Sequence, residues 1–254
     1  MSKTFLLRPI AVSAAVYAEL LVVMPVYNEE ANIANVVEAW IPVLDRLGTS
    51  SQMLLLNDGS RDRTLERMEN LQAQWGDRLI VVDKLNAGHG ATCRLGYEIA
   101  ARSSCEWVLQ IDSDGQCDAR YLPDFWQQRN DCDVVMGLRV RRGDGFLRMY
   151  ISRVCRWLSS LVIGLNVPDP NVPYRLMRQP VLRECIRRVP SNFNIHNVAL
   201  SCVMYQCKDI RIRRVPIDFL ARAGGENSLD VPKVMSWGAA MIFELLQLRR
   251  SLKE

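Results

Sequence analysis

With 254 residues, 49% of them hydrophobic, the chain is long enough to form one large domain with a substantial core. Its charged fraction of 24% is ordinary for a globular protein. The net charge of +4 is too small to indicate a nucleic-acid-binding protein, although its sign favours anionic ligands or anionic membrane surfaces.

Short apolar runs alternate with amphipathic stretches along the first half of the chain. This alternation predicts strands joined by crossover helices in a mostly parallel sheet. The predicted strands are 20–26, 52–56, 79–83, 107–111 and 133–136, and the predicted helices lie near 29–47, 62–75, 90–103 and 119–129. Because the strand interiors are rich in Leu, Ile and Val, we expect an α/β fold with helices on both faces of the sheet.

After residue 140 the pattern changes to basic amphipathic helices near 146–164 and 195–207 and a strand at 210–219. A glycine-rich loop at 223–225 and a last helix from residue 232 follow. Since no linker interrupts the chain, we predict one domain over residues 1–230 and a C-terminal amphipathic helix over 231–254.

The predicted C-terminal helix carries one apolar face with basic residues around it. The apolar positions are Val234, Trp237, Met241, Leu245, Leu248 and Leu252. Two interpretations remain open: a helix lying in the headgroup plane of a membrane, or a helix that covers the core.

The cellular location is indicated by the cysteines and by the termini. Eight cysteines occur without a C-x-x-C spacing, and only two histidines accompany them, so a zinc site is not indicated. Scattered cysteines of this kind are typical of buried thiols in a reducing compartment. The apolar stretch near the N-terminus is interrupted by Pro9, which disfavours a signal peptide, and no window reaches the length of a spanning helix. We therefore expect a cytoplasmic protein whose membrane contact, if present, is peripheral or made through a separate membrane subunit.

The segment Asp112-Ser113-Asp114-Gly115-Gln116 directly follows the fourth predicted strand. Two carboxylates two residues apart in a turn, with an amide oxygen nearby, can converge on one hard cation such as Mg²⁺ or Mn²⁺. A cation there would bridge and neutralise a diphosphate. The alternative is a solvated acidic turn.

Two other predicted strands end in polar residues, at 25–30 and at 57–60. Such residues are also favoured at helix N-caps. However, open parallel sheets bind ligands at the carboxyl ends of their strands, so these loops predict a site for a base and a ribose beside the cation.

Four ordered motifs carry a family resemblance: V-M-P-V-Y-N-E-E, L-N-D-G-S, N-A-G-H-G-A and D-S-D-G-Q. The chain resembles the inverting family 2 glycosyltransferases with the GT-A fold, and within them the dolichyl- or polyprenyl-phosphate mannosyltransferase-like branch. The resemblance implies that the donor nucleotide sugar is bound by Pro25, Tyr27, Glu29, Asp58 and Asn86. It also implies that Asp112, Asp114 and Gln116 surround the metal and the diphosphate. Asn57 stands where relatives commonly have the first of two aspartates.

The resemblance continues into the second half of the chain. Arg139, Arg148 and Ser152 match the residues that grip the acceptor phosphate, and Arg222 matches an arginine that meets the donor diphosphate. A solvated basic face is the alternative for the helix that carries Arg148. The segment 169–175 departs from the family pattern because Pro173 replaces a glycine, which restricts the backbone.

The predicted function is metal-dependent transfer of a sugar from a nucleoside diphosphate sugar to a polyprenyl phosphate. An acceptor phosphate is largely dianionic at neutral pH, so no general base is required. One alternative is transfer to a hydroxyl of a glycan or small molecule, with Asp144, Asp169 or Glu184 as the base. The second alternative is a non-catalytic nucleotide-sugar binder. No nucleic-acid partner is expected.

Overall fold

The computed structural model of the chain describes residues 12, 16–142, 156–157, 160–162, 164–190, 193, 195–220 and 242–250, and for 141 and 142 the backbone alone. Its strands are β1 Leu20–Val26, β2 Ser51–Asp58, β3 Leu79–Lys84, β4 Trp107–Gln110, β5 Val134–Arg142, β6 Arg175–Arg178 and β7 Ile212–Phe219. The α-helices with both ends described are α1 Ile33–Arg46, α2 Thr64–Trp75, α3 His89–Arg102, α4 Leu122–Gln128, α5 Gln179–Arg188 and α6 His196–Gln206. Residues 242–250 are also helical.

The described strands form one sheet in the order β3-β2-β1-β4-β6-β5-β7. Strands β1 to β4 pair in parallel, as the β–α alternation of the first half predicts. Strand β6 runs antiparallel to both of its neighbours, whereas β7 pairs in parallel with β5. The predicted α/β fold with a mostly parallel sheet is thus confirmed, and the second half of the chain completes the sheet of the first.

The centre of the sheet is fully buried, because helices cover it on both sides. Every residue of β1 is buried, which explains the continuous apolar run that marked this strand in the sequence. Helix α3 packs closely against β1 at Gly96, where a Cβ atom would lie 2.3 Å from Cγ1 of Val23. The absence of a side chain at Gly96 therefore sets the spacing between helix and sheet.

Most predicted elements of the first half match the structure to within a few residues, with α1 beginning later than predicted. Strand β6 and helix α5 were not predicted. Strand β6 gives a weak signal, because it has only four residues and begins and ends with arginine. Of the predicted helix at 146–164, residues 156–157 and 160–162 are helical and most others lie outside the described residues.

The described part of the C-terminal helix helps to decide whether this helix covers the core or lies in the headgroup plane of a membrane. Leu245 and Leu248 are completely buried, so this part of the predicted apolar face covers the core. Among the described residues, no helix is long and apolar enough to cross a membrane. Six of the seven described cysteines are buried, as expected, and all seven are free thiols.

Candidate active site

A cleft of about 380 Å³ opens at the carboxyl ends of β1, β2 and β4, beside the start of α3. It is lined by Pro25, Val26, Tyr27, Glu29, Asp58, Asn86, Gly88, His89, Thr92, Asp112, Ser113 and Asp114. Seven of these residues were predicted to bind the donor or the metal. The structure brings these seven together, as expected from their positions at and near the strand ends. Their roles remain predictions.

The loop after β1 is held by side chains from the loop after β2. Asn28 has a positive φ of 52°, and its backbone N–H donates to Oγ of Ser60 at 3.0 Å. The N–H of Glu29 donates to Oγ1 of Thr64 at 2.8 Å, and a carboxylate oxygen of Glu29 accepts from Nδ2 of Asn32 at 2.8 Å. Glu29 is thereby fixed in a buried position, while Tyr27 remains 41% exposed in the cleft.

Asp58 organises the wall of the cleft that leads into α3. Its two carboxylate oxygens accept from the backbone N–H groups of Ala87 and Gly88, each at 2.9 Å, and Oδ1 also accepts from the ammonium group of Lys84. Gly59 permits this approach, because a Cβ atom there would lie 2.7 Å from the backbone nitrogen of Asn86. Asp58 is therefore a structural anchor of the loop before α3, in addition to its predicted contact with the nucleoside.

The two carboxylates after β4 face His89 across the cleft. Oδ1 of Asp112 accepts from Nε2 of Gln110 at 3.1 Å and lies 3.9 Å from Nε2 of His89. Oδ1 of Asp114 accepts from the backbone N–H of Gln116 at 3.1 Å. The pKa of His89 is raised by Cys93, by Asp112 and by Asp114. This part of the cleft is therefore an acidic region in which a cationic group is stabilised.

Gln116 does not line the cleft with the two aspartates. Its Nε2 donates to the backbone carbonyl of Leu220 at 2.8 Å, and its own carbonyl accepts from the N–H of Leu220 at 3.3 Å. Gln116 thus joins the turn after β4 to the end of β7, where the chain continues toward residue 222.

Arg139, predicted to contact the acceptor phosphate, forms a bidentate ion pair with Asp169. The Nε–Oδ2 and Nη2–Oδ1 distances are 2.7 and 2.6 Å, and the side chains are 7% and 6% exposed. Such planar two-bond pairing is strong, and its desolvation makes it costly to break. A phosphate at Arg139 would have to share the guanidinium with Asp169. The contact with an acceptor therefore stays a prediction.

Arg175 is a buried residue to which the sequence assigned no role beyond its motif. Its guanidinium is fully buried and donates to the carbonyls of Val172 at 3.0 Å, Asn197 at 3.1 Å and Pro170 at 3.3 Å. It holds the segment 169–175 against the start of α6. In the sequence, the only signal for this role is that Arg175 ends the segment 169–175, which resembles a family motif.

Arg148, Ser152 and Arg222 lie outside the described residues, so their predicted contacts are not tested by geometry. Among the described residues, no three carboxylate, imidazole or thiol groups lie close enough to hold a metal ion on their own. A cation in the cleft would therefore need further ligands, such as substrate phosphates or water.

The model of the family described as "Glycosyl transferase family 2" matches residues 21–188, which include β1 to β6 and the residues that line the cleft. The chain belongs to glycosyl transferase family 2. The predicted family membership is confirmed, and the parallel half of the sheet with its cleft is part of the matched region.

The curated relatives of this family 2 chain include undecaprenyl-phosphate 4-deoxy-4-formamido-L-arabinose transferases from strains of Pseudomonas aeruginosa. They are 25% identical over 227 residues, which cover 89% of this chain and 63% of the relative. The chain thus spans less than two thirds of the length of these relatives.

Solved structures similar to this family 2 chain include glucosyl-3-phosphoglycerate synthase from Mycobacterium tuberculosis. In its complex with uridine diphosphate it is 18% identical, with a TM-score of 0.65 over 94% of this chain and 83% of that chain. A complex with Mn²⁺, uridine diphosphate and glucosyl-3-phosphoglycerate is 19% identical, with the same TM-score and coverage. This similarity confirms the predicted GT-A fold.

Proposed function

We propose that the chain transfers a sugar from a nucleoside diphosphate sugar to a polyprenyl phosphate with the help of a divalent cation. The observation that carries the proposal is that Asp112 and Asp114 lie in the same cleft as Pro25, Asp58 and Asn86. Because the four motifs converge on one cleft, a nucleoside and a diphosphate-bound cation can be held side by side.

The donor set of the cleft fits Mg²⁺ or Mn²⁺. Asp112 and Asp114 supply hard oxygen ligands, and the cleft leaves room for phosphate oxygens and water, which both ions commonly retain. The M. tuberculosis relative binds Mn²⁺ together with uridine diphosphate, which supports the proposal. When bound, the cation would neutralise the charge that develops on the departing diphosphate.

On the donor side, the protein's part is to position the nucleotide. Asp58 holds the loop in place, because its carboxylate accepts from the backbone N–H groups of Ala87 and Gly88 and its backbone carbonyl accepts from Nδ2 of Asn86. The buried Glu29 and the exposed ring of Tyr27 form the adjoining wall. We expect Arg222 to meet the diphosphate, as the family resemblance implies.

On the acceptor side, the nucleophile would be a phosphate oxygen that is already deprotonated at neutral pH. It displaces the diphosphate at the anomeric carbon and inverts that centre, so the residues around it need to orient it and compensate its charge. We assign this role to Arg148 and Ser152, with Arg139 contributing while it remains paired with Asp169.

Transfer to a sugar hydroxyl would require a free carboxylate base. Both oxygens of Asp169 accept from Arg139, and Glu184 lies on α5 beside Arg187 and Arg188, away from the cleft lining. Asp144 lies outside the described residues. The two described candidate bases are thus engaged with arginines, which supports a phosphate acceptor, and the names of the P. aeruginosa relatives point to the same lipid class. With such an acceptor, the enzyme would work at the cytoplasmic face of a membrane.

The test is transfer of label from radioactive UDP- and GDP-sugars into the organic phase in the presence of polyprenyl phosphate. Asp114→Ala is expected to lower transfer about 10²- to 10³-fold, the scale for loss of one preorganised charge partner. Glu38→Ala is the control, since Glu38 is exposed on α1 and outside the cleft. Equal transfer by both variants would remove Asp114 from the mechanism, and label that stays in the aqueous phase would exclude the lipid acceptor.

A further inference from the structure

The helical segment 242–250 has one face that is anchored to the rest of the protein. Leu245 and Leu248 are completely buried, and Glu244 is 7% exposed. A carboxylate oxygen of Glu244 accepts from the backbone N–H of Ile195 at 3.1 Å, directly before α6. These contacts fix the rotation of the segment about its axis.

The opposite face, here called the outer face, consists of Ile242, Phe243, Leu246, Arg249 and Arg250. These positions are spaced by one, three and four residues, so they share one side of a helix. The three apolar side chains are 41%, 63% and 44% exposed, and both arginines are exposed. The outer face is therefore apolar over its first turn and basic at its end.

We propose that the outer face rests in the headgroup region of a membrane that contains anionic lipids. The proposal depends on the proposed function, because a polyprenyl phosphate acceptor would be presented by a bilayer. Ile242, Phe243 and Leu246 would enter the boundary between headgroups and acyl chains. Arg249 and Arg250 would lay their stems along that apolar surface and bring their guanidinium groups to lipid phosphates.

The charge of the outer face favours a lipid surface over a protein partner, because its two exposed arginines complement anionic headgroups. Two adjacent arginines would also lose solvation in a protein interface without an acidic partner. The membrane-facing side inferred from the structure differs from the side that the sequence pattern suggested, since Leu245 and Leu248 belong to the buried face.

Flotation of the full chain with phosphatidylcholine vesicles, with and without phosphatidylglycerol, tests the apolar part. The variant Ile242→Ser/Phe243→Ser/Leu246→Ser is expected to bind anionic vesicles at least about tenfold more weakly than the unmodified chain. Phe243→Ser alone is compared with Tyr17→Ser, because the two aromatic residues are 63% and 62% exposed. Only the change at Phe243 should weaken binding.

The basic part is tested by Arg249→Gln/Arg250→Gln. Two arginines near an anionic surface together account for about a 25-fold difference in binding, which should appear only when phosphatidylglycerol is present. Arg187→Gln/Arg188→Gln is a matched control, because these two exposed arginines also end a helix but pair with Glu184. Equal losses in both pairs would attribute binding to overall charge and overturn the proposal.

Transfer in detergent micelles separates this proposal from the proposed function. If the triple serine variant loses vesicle binding but keeps transfer to detergent-dispersed polyprenyl phosphate, both are supported. If the unmodified chain transfers sugar in micelles but fails to float with anionic vesicles, the membrane contact is wrong and a membrane protein becomes the candidate partner. If the chain floats through its outer face but transfers no sugar to the lipid, the proposed function fails and the membrane contact stands.

Discussion

The two halves of the sheet handle their charged residues differently. In the half formed by β1 to β4, Asp58, Asp112 and Asp114 lie at the edge of an open cleft, where they accept hydrogen bonds from backbone N–H groups and from the side chains of Lys84 and Gln110. In the half formed by β5 to β7 and the helices between them, the charged side chains of Arg175 and of the Arg139–Asp169 pair lie in the interior. The first half therefore places carboxylates where a ligand can reach them, although Asp58 also anchors a loop, whereas these charged groups of the second half hold its own segments together.

This difference predicts that loss of a charge costs more stability in the second half. The largest effect is expected for Arg139→Met, which leaves Asp169 buried without its bidentate partner and should lower the free energy of unfolding by about 3 to 5 kcal/mol. Urea denaturation measures this change. The double variant Arg139→Met/Asp169→Leu should regain most of the loss, because no isolated charge remains.

The contrasting change in the first half is Arg78→Met, since Arg78 pairs with Asp45 at the surface and not in the interior. An exposed pair contributes about 0 to 1 kcal/mol, so this variant should unfold almost like the unmodified chain. If Arg78→Met and Arg139→Met cost the same, burial of the Arg139–Asp169 pair does not raise the cost of losing a charge, and this prediction is wrong.

The next prediction concerns pH and uses the two histidines, one in each half. His196 is buried, its Nε2 has no hydrogen-bond partner among the described residues, and burial together with Arg94 and Arg175 lowers its pKa to about 3. Because the unfolded chain takes up a proton below about pH 6.5 while the folded chain resists it, stability should fall as pH decreases from 6.5 toward 3. The expected loss between pH 6.5 and 5 is roughly 2 kcal/mol.

The measurement is the free energy of unfolding at a series of pH values for the unmodified chain, His196→Gln and His89→Gln. His196→Gln should flatten the decrease between pH 7 and 5. His89→Gln should keep it, because a histidine with a raised pKa changes stability only above its unfolded pKa. An unchanged slope in His196→Gln would contradict the assignment.

The two halves of the sheet also differ in how much of their structure can be predicted from the sequence. The parallel half follows from local patterns, since each strand of β1 to β4 has its own apolar run and each turn follows a strand end. For that reason Asp58, Asp112 and Asp114 were correctly expected to meet at one edge of the sheet. The pattern predicted that Asp58 lies in the cleft. It did not predict the hydrogen bonds of Asp58 to Ala87 and Gly88, because those depend on how the next loop folds.

The second half depends on contacts between residues far apart in the chain. Strand β6 inserts antiparallel between β4 and β5, and nothing in its four residues specifies those neighbours. Arg139 was assigned to the acceptor phosphate through the family resemblance, whereas in the structure it pairs with Asp169, 30 residues further along the chain. Sequence patterns record periodicity and local turns, but they do not record which buried carboxylate an arginine reaches.

A smaller effect is expected for Asp58→Asn in the first half. The asparagine amide oxygen can still accept from one of the two backbone N–H groups, those of Ala87 and Gly88, but its NH₂ group then faces the second one. Lys84 also loses its charged partner. We expect a loss of about 2 kcal/mol in the free energy of unfolding, the scale of hydrogen bonds to charged groups. Asp45→Asn at the surface is the control and should change stability by less than about 1 kcal/mol. Urea denaturation of both variants compares a cleft anchor with a surface pair in the same half, and equal losses would show that Asp58 does not anchor the loop.

The smallest effect among the changes in the interior is expected where the first half relies on packing instead of charge. In Gly96→Ala the added Cβ would lie 2.3 Å from Cγ1 of Val23 and 3.1 Å from Cδ1 of Leu56, so α3 has to move away from β1. Overpacking of this kind costs about 1 to 3 kcal/mol, and the better helix propensity of alanine returns about 1 kcal/mol. The net loss is therefore expected to be about 1 kcal/mol by urea denaturation.

The double variant Val23→Ala/Gly96→Ala tests the close contact directly. Because Val23→Ala removes Cγ1 of Val23, the double variant should be more stable than the sum of the two single changes predicts. Strict additivity would mean that α3 and β1 are not in the close contact through which the apolar face of α3 covers the centre of the sheet.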